Sequence, residues 1–197
     1  MYYLKSHFRE AIDRSMRCFS HNTNKYYISG DINVFHTGQY FTFLYYLSNT
    51  IYRNEISLEC ETARKICDKL YGLNKVVSSC DLYYEISLPE YFYVEHPVGS
   101  VIGRAKIGNG FFFMQGCTVG GNNMKYPTIG ENVWMYSNSK ILGNCHIGDH
   151  VICGANCYVK DMDIPSNSLV FGQYPIKYNQ RESRRRNKTE TSSRMNR

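Results

Sequence analysis

A histidine in a short defined motif is the first chemical signal in this 197-residue sequence. His96 stands in the stretch Glu-His-Pro-Val-Gly, and a neutral imidazole accepts a proton near neutral pH, so His96 is a candidate general base. A second cluster, Cys145, His146, His150 and Cys153, imitates the spacing of metal ligands. In the repeat described below, its cysteines point inward whereas its histidines lie near corners. We therefore expect no metal site there.

Composition narrows the class of protein. Apolar residues form 43% of the chain, an ordinary share for a globular protein, and no apolar stretch approaches the length of about 18 residues that a membrane span needs. No export signal is visible at the start, so we expect a cytoplasmic protein with its eight cysteines reduced. The net charge of +6 is concentrated in residues 177–197, which we interpret as a disordered basic tail. No base-reading motif accompanies this tail, so no nucleic-acid partner is expected.

A six-residue repeat dominates the second half of the chain. Apolar residues or cysteine recur every six positions, with one interruption, at Val101, Ile107, Phe113, Val119, Ile129, Met135, Ile141, Ile147, Cys153 and Val159. Glycine follows five of these ten positions. A fixed hexapeptide period predicts a parallel β-helix in which three hexads close one triangular coil. In this arrangement the periodic residue fills the interior, and the glycine relieves crowding at the turn.

The repeat is interrupted once and is preceded by helices. Ten residues separate Val119 from Ile129, so four extra residues within positions 122–128 are expected to leave the prism as a loop, a common place for binding residues. Before residue 80, apolar residues recur at helical spacing and predict two to four helices. The expected organisation is a helical region over 1–80, a β-helix over 81–176 and the basic tail over 177–197.

Residues 81–176 resemble the serine acetyltransferase family, a branch of the hexapeptide-repeat acyltransferases that also includes sugar and polysaccharide O-acetyltransferases. The resemblance rests on Glu-His-Pro-Val-Gly-Ser-Val-Ile-Gly at 95–103, Thr-Val-Gly-Gly-Asn at 118–122 and Ile-Leu-Gly-Asn at 141–144. It implies a mainly β protein with a left-handed parallel β-helix and direct acetyl transfer from acetyl-CoA, with no metal expected. It also implies a homotrimer or a dimer of trimers, with active sites between neighbouring subunits.

The same resemblance assigns roles to individual residues. The family's catalytic histidine falls on His96, and its aspartate partner falls on Asp81, nearly one coil earlier. His96 is then expected to remove the proton of an attacking hydroxyl, while Asp81 orients the imidazole and stabilises its charged form. A glycine pair is expected to bring a backbone N–H to the thioester oxygen. The positions implied for contacts with acetyl-CoA are Gly120, Gly121, Ser137, Ala155 and, from the closing motif of the family, Lys177.

The acceptor site departs from the family pattern. Serine-specific members carry Arg-His-Pro in the loop to hold a carboxylate, whereas this chain has Lys125-Tyr126-Pro127, and Glu95 replaces an aspartate that grips the amine. Lysine loses the bidentate fork of arginine, and tyrosine keeps only a hydroxyl. We therefore expect an O-acetyltransferase acting on a small-molecule acceptor, with a sugar, nucleotide sugar or surface-polysaccharide unit favoured. Serine, in cysteine biosynthesis, is the alternative acceptor, and a non-catalytic β-helix binding or assembly module is the alternative of another class.

Overall fold

Three α-helices precede a series of short strands in the computed structural model, which describes residues 2–27, 30–55 and 60–173 and the backbone of 177–180. The helices are α1 (Tyr2–Ser20), α2 (Thr37–Glu55) and α3 (Glu61–Ser78), with a 3-10 helix at Lys25–Tyr27. The two to four helices predicted before residue 80 are thus confirmed. No helix within the described ranges is long and apolar enough to cross a membrane. Residues 181–197, most of the predicted tail, lie outside the described residues.

The strands stack into three sheets that form the faces of a triangular prism. Face A contains β1 (Asp81–Leu82), β3 (Val101–Ile102), β6 (Thr118–Gly120), β9 (Lys140–Leu142) and β12 (Tyr158–Lys160). Face B contains β2 (Phe92–Val94), β5 (Phe111–Phe113), β8 (Trp134–Met135), β11 (Ile152–Cys153), β13 (Ser168–Phe171) and the antiparallel β14 (Lys177–Gln180). Face C contains β4 (Lys106–Ile107), β7 (Thr128–Ile129) and β10 (His146–Ile147). The chain visits faces A, C and B in turn, so the predicted parallel β-helix is confirmed.

The pairing of strands in neighbouring coils shows which residue of each hexad points into the prism. The coil from Thr118 to Lys140 is four residues longer than the coil from Lys140 to Tyr158, so the predicted loop is confirmed. The inward placement of Val101 is wrong: its side chain is 43% exposed, whereas Ile102 is 1% exposed and pairs with Val119. The cause is the passage from face A to face C. Ile102 and Ile107 are five residues apart, whereas the residues in register with them in a later coil, Ile141 and Ile147, are six apart, so the phase shifts by one residue.

Glycines at one corner of the prism are required by the close approach of neighbouring coils. Gly108, Gly130 and Gly148 stack above one another, and a methyl group added to any of them would overlap the backbone of the next coil. This refines the expectation that these glycines serve the turn itself, because none of the three has a positive φ. The left-handed backbone at other corners is adopted largely by asparagine, histidine and aspartate, which tolerate it better than most residues, namely Asn132, Asn138, His150, Asn156, Asp161 and Asn167.

Side chains from the helical region close the open edge of the first coil. An edge strand leaves backbone carbonyls without partners, and buried carbonyls need hydrogen bonds. Here the helices supply the donors: Cys18 donates to the Phe92 carbonyl, Tyr27 to Val94, Tyr45 to Ile86, Tyr46 to Glu90 and Asn49 to Tyr84. The ring of Phe41 also packs edge-on against Phe113 at 6.1 Å, so one core runs from the helices into the prism.

Candidate active site

His96 lies on a corner that projects from the prism. It occupies the corner between β2 and β3, has a φ of 49°, and exposes its side chain. Among the described residues the imidazole has no hydrogen-bond partner. The corner itself is fixed, because the Val98 N–H donates to the His96 carbonyl at 2.7 Å and the Gly99 N–H donates to the Ser79 carbonyl at 2.8 Å. A left-handed non-glycine residue held in this way is a feature that often marks a functional position.

Asp81 begins β1 and is held by two side chains of α3. The Tyr71 hydroxyl donates to Oδ1 at 2.7 Å, and Lys75 Nζ donates to Oδ2 at 2.7 Å. Burial raises the pKa of the Asp81 carboxyl, but these two hydrogen bonds outweigh burial and lower the pKa overall. The part of the chain that the structure describes has no hydrogen bond between Asp81 and His96. Since a carboxylate has about four acceptor positions, two bonds from α3 leave room for one from an imidazole.

The outer surface of face A carries the candidate site along the prism. Register places Asp81, Val101, Thr118, Lys140 and Tyr158 in one column. With coils about 4.8 Å apart, that column extends over roughly 19 Å. The Asp81 end of the column therefore connects by an unbroken surface to the Tyr158 end.

A second column on face A leaves backbone uncovered. It begins with Gly103 and Gly120, which lie in successive coils, and continues through Leu142 to Lys160. Gly121 follows directly and is exposed. Its N–H donates to no group among the described residues, as the predicted oxyanion donor requires. The glycine pair therefore offers a backbone donor on the same face as Asp81.

A cavity of about 660 Å³ opens at the far end of face A. Lys140 and Lys160 contribute two positive charges to it, and Lys140 Nζ donates to the Asn138 carbonyl at 2.9 Å. Ser137 and Ala155 directly precede lining residues, so these two predicted positions lie beside the cavity. The full lining is Asn138, Lys140, Asn156, Cys157, Tyr158, Lys160, Asp161 and Gln173.

The position of one predicted cofactor contact is not given by the structure. The Lys177 side chain is outside the described part of the molecule, and only its backbone, paired with Phe171 in β14, is placed. The predicted tail thus begins with a four-residue strand. Sequence analysis missed both Lys140 and Lys160, although each adjoins an inward hexad residue and is therefore outward-facing by phase.

The excursion loop is a tight hairpin. Asn122 and Lys125 exchange backbone hydrogen bonds of 2.9 and 3.0 Å, and the central residues Asn123 and Met124 have φ values of 48° and 61°. Two positive φ values define a type I′ turn. Asn122 Nδ2 also donates to Asp161 Oδ2 at 2.6 Å, which ties the loop to a later coil. The loop is therefore pre-ordered beside face A.

The three residues predicted to bind the acceptor lie in two places. Lys125 and Tyr126 are exposed on the hairpin, and the Tyr126 ring packs on Gly121, where an added Cβ would lie 2.6 Å from the ring. Glu95 precedes His96 and accepts a hydrogen bond from Asn24 Nδ2 at 3.1 Å, so it faces the loop after α1. Tyr126 is thus next to the candidate oxyanion donor, whereas Glu95 is next to the candidate base.

The cluster that imitates metal ligands has other partners. His146 Nδ1 lies 2.8 Å from Asp163 Oδ1, while Cys145 and Cys153 are buried inside the prism. Over residues 2–27, 30–55 and 60–173, no group of three or more histidine, cysteine, aspartate or glutamate side chains is placed to bind a metal. All eight cysteines are free thiols.

Comparisons with known proteins agree with the fold and with the repeat. A sequence model of the bacterial transferase hexapeptide family (six repeats) matches residues 126–161. The serine acetyltransferase of Synechococcus elongatus is 32% identical over 108 residues, which cover 52% of this chain and 44% of that protein. The chain spans about half the length of the curated relatives it matches.

Solved structures extend the similarity into the helical region. Serine acetyltransferase isoform 3 of Entamoeba histolytica, in complex with cysteine, has a TM-score of 0.64 and 26% identity, covering 86% of this chain and 60% of that one. A serine acetyltransferase in complex with CoA has a TM-score of 0.70 and 18% identity, covering 90% and 74%.

These observations define the chain first as a parallel β-helix protein built from hexapeptide repeats, similar over residues 126–161 to the bacterial transferase hexapeptide family. The left-handed form predicted for the β-helix is confirmed by its match to solved serine acetyltransferases. More specifically, the predicted resemblance to the serine acetyltransferase family is confirmed, since relatives of that name match in sequence and in structure.

Proposed function

We propose that the protein transfers an acetyl group from acetyl-CoA to the hydroxyl of serine. The observation that carries the proposal is the outer surface of face A, which brings Asp81, the exposed N–H of Gly121 and the lysine-lined cavity onto one side of the prism. The relatives are serine acetyltransferases, and one such structure contains CoA. They support serine better than the sugar acceptor that the loop sequence favoured.

The cavity fits the chemistry of acetyl-CoA. Lys140 and Lys160 would face its phosphate groups, and both retain exposed surface for ionic contacts. Gly103 and Gly120 leave the backbone open at the Asp81 end of face A, so the thin pantetheine arm would lie close to the backbone there after passing Leu142. Bound in this direction, acetyl-CoA supplies an activated thioester near Gly121.

The protein residues then perform proton transfer and charge stabilisation. His96 takes the proton from the serine hydroxyl as its oxygen bonds to the thioester carbon. The Gly121 N–H donates to the oxygen on which negative charge develops. When the carbon–sulfur bond breaks, the proton held by His96 passes to the departing sulfur, so the protonation of His96 is restored.

Asp81 acts as a positioning residue in this scheme. Its carboxylate is kept ionised by Lys75 and Tyr71, so it is ready to accept a hydrogen bond from the imidazole of His96. That bond would fix the tautomer and stabilise the imidazolium. The α3 contacts therefore link the helical region to the chemistry on face A.

The sugar acceptor is kept as a second candidate because of one feature of the loop. A serine carboxylate would meet a single lysine cation, Lys125, without the bidentate geometry of arginine. Tyr126, next to Gly121, offers a neutral hydroxyl that suits sugar hydroxyl groups equally well.

The decisive experiment is thiol release from acetyl-CoA by the full chain, with serine and a panel of nucleotide sugars as acceptors. We expect turnover with serine, and we expect His96→Ala to lower kcat by about 10²–10⁴-fold. Asp81→Asn should lower kcat by a smaller factor than His96→Ala does. His150→Ala is the matched control, because His150 is also an exposed corner histidine, with a φ of 58°.

Turnover of a nucleotide sugar without turnover of serine would show that the acceptor is a sugar and would leave the proposed acetyl-transfer reaction unchanged. Near-full activity of His96→Ala would show that His96 is not the general base. If no acceptor stimulates thiol release, the non-catalytic binding module becomes the better hypothesis.

We further propose that the chain assembles as a homotrimer or a dimer of trimers in the cytoplasm. The long exposed site on face A is consistent with a groove completed by a neighbour, and the free cysteines suit a reducing compartment. Light scattering should give a multiple of three chains. A monomer at micromolar concentration would contradict a site built between subunits.

A further inference from the structure

Three arginines line a pocket that shares no residue with the candidate active-site surface. The pocket has a volume of about 250 Å³ and lies between α1, α2 and the segment before β2. Its lining is Arg14, Arg17, Tyr46, Arg53, Leu88, Pro89 and Glu90. None of the residues placed in the proposed reaction belongs to it, so the proposed function does not explain it.

Arg14 is rigidly held at the base of this pocket. Its Nη1 donates to Thr50 Oγ1 at 2.7 Å, its Nη2 donates to Asn49 Oδ1 at 2.8 Å, and its guanidinium carbon lies 4.5 Å from the centre of the Tyr46 ring. All three partners are neutral. Burial and the nearby charge of Arg53 lower the pKa of Arg14, and the opposing effects of Tyr45, Tyr46 and the Glu10 carboxylate do not cancel this shift. Arg14 makes no ion pair among the described residues, and a partly buried guanidinium without a direct ion pair is unfavourable, so an anion bound in the pocket would stabilise it.

The other charged groups of the pocket do not supply that anion. Arg53 has no hydrogen bond or ion pair within the described ranges. Arg17 Nε is 3.8 Å from Glu90 Oε1, too far for a hydrogen bond, and both side chains are more than half exposed. The pocket therefore holds three cations against one carboxylate.

We propose that this pocket binds the phosphate group of a small organic phosphate. Arginine forks match the oxygens of phosphate in a bidentate manner, and Arg17 and Arg53 have such forks free. Leu88 and Pro89 provide an apolar wall that suits the organic part of the molecule. The proposal does not depend on the acetyl-transfer function.

Isothermal titration of the full chain with glycerol 3-phosphate tests the proposal, with glycerol in sodium chloride of equal ionic strength as the blank. We expect saturable binding to the wild type. Arg17→Gln combined with Arg53→Gln should weaken binding about tenfold to a hundredfold. Both side chains are exposed, so this variant should keep its fold, which circular dichroism verifies.

Two controls separate this pocket from other causes. Arg9→Gln removes a cation from the same helix, α1, but from a pair with Asp13 outside the pocket, and it should bind as the wild type does. Lys160→Gln tests the cavity on face A and should also bind normally. Equal weakening in Arg9→Gln, loss of binding in Lys160→Gln alone, or no saturable binding to the wild type would overturn the proposal.

Discussion

Removing a single hydroxyl group from the interior should measure how strongly the helices close the β-helix. Tyr45 is 1% exposed, and its hydroxyl donates to the Ile86 carbonyl at 2.7 Å and accepts from the Leu88 N–H at 2.9 Å. Burial raises the pKa of Tyr45 to about 12, so the group stays neutral at physiological pH. Tyr45→Phe leaves two buried backbone groups without partners, at about 1–3 kcal/mol each. We expect a loss of about 2–4 kcal/mol in the free energy of unfolding.

Thermal unfolding followed by circular dichroism provides the assay. For a chain of this length, 1 kcal/mol corresponds to about 2–4 °C, so Tyr45→Phe should lower Tm by roughly 5–15 °C. Tyr40→Phe is the matched control, because Tyr40 lies on the same helix, is only partly buried and makes no side-chain hydrogen bond within the described chain. It should shift Tm by at most about 2 °C. Equal Tm values for the two variants would refute the capping of the first coil by tyrosine.

Three further predictions follow from corners and charges. Gly148→Ala should lower the free energy of unfolding by about 1–3 kcal/mol, because its methyl group would overlap the next coil. Gly72→Ala, in open space on α3, should raise the free energy of unfolding by about 0.5–1 kcal/mol. Urea unfolding measures both changes, and changes of the same sign would contradict the close approach of the coils at Gly148. In Gly120→Ala the added methyl group would meet only a side-chain atom, at 3.5 Å, so Tm should stay the same while the rate of acetyl transfer falls. Unchanged kinetics would show that the thioester does not bind next to Gly120. The pKa values of Asp81 and Asp161 are lowered in the folded protein, so the stability they contribute is present above a pH of about 4 and is lost as the pH falls through the folded pKa values. Asp161→Asn should therefore make Tm fall less steeply as the pH is lowered. An unchanged pH dependence of Tm would show that Asp161 does not contribute to it.

The repeat was readable from sequence because its physical cause is local. A residue that points into a narrow prism must be apolar or small, and the constraint returns once per hexad. The first coil, which contains β1 and β2, has no such pattern, because the helices pack against it and accept a wider set of residues. The prediction for Val101 was wrong for a related reason: the step from Ile102 to Ile107 is one residue shorter than a hexad, and a six-residue count does not reveal a shortened step.

The candidate site was only partly predictable. The sequence pointed to His96 and Asp81 as a pair, yet the partners of Asp81 in the single chain, Tyr71 and Lys75, come from a helix whose packing no motif records. Lys160 was identifiable in principle, because the residue after an inward Val159 must face out. Tyrosines of the helical region also form an internal interface with the edge of the first coil, and no sequence motif records these contacts.

The two ends of the prism bear on how the protein avoids growing into fibres. A solenoid whose last coil is bare offers its ladder of hydrogen-bonding groups to any identical chain, and stacking end to end would then have no natural limit. The helical region covers one end through side chains such as Tyr27 and Asn49. At the other end, β14 runs antiparallel to β13 and breaks the parallel register that an incoming coil would need to continue. A chain that lacks residues 177–180 should therefore form filaments that seed further growth from their own tips.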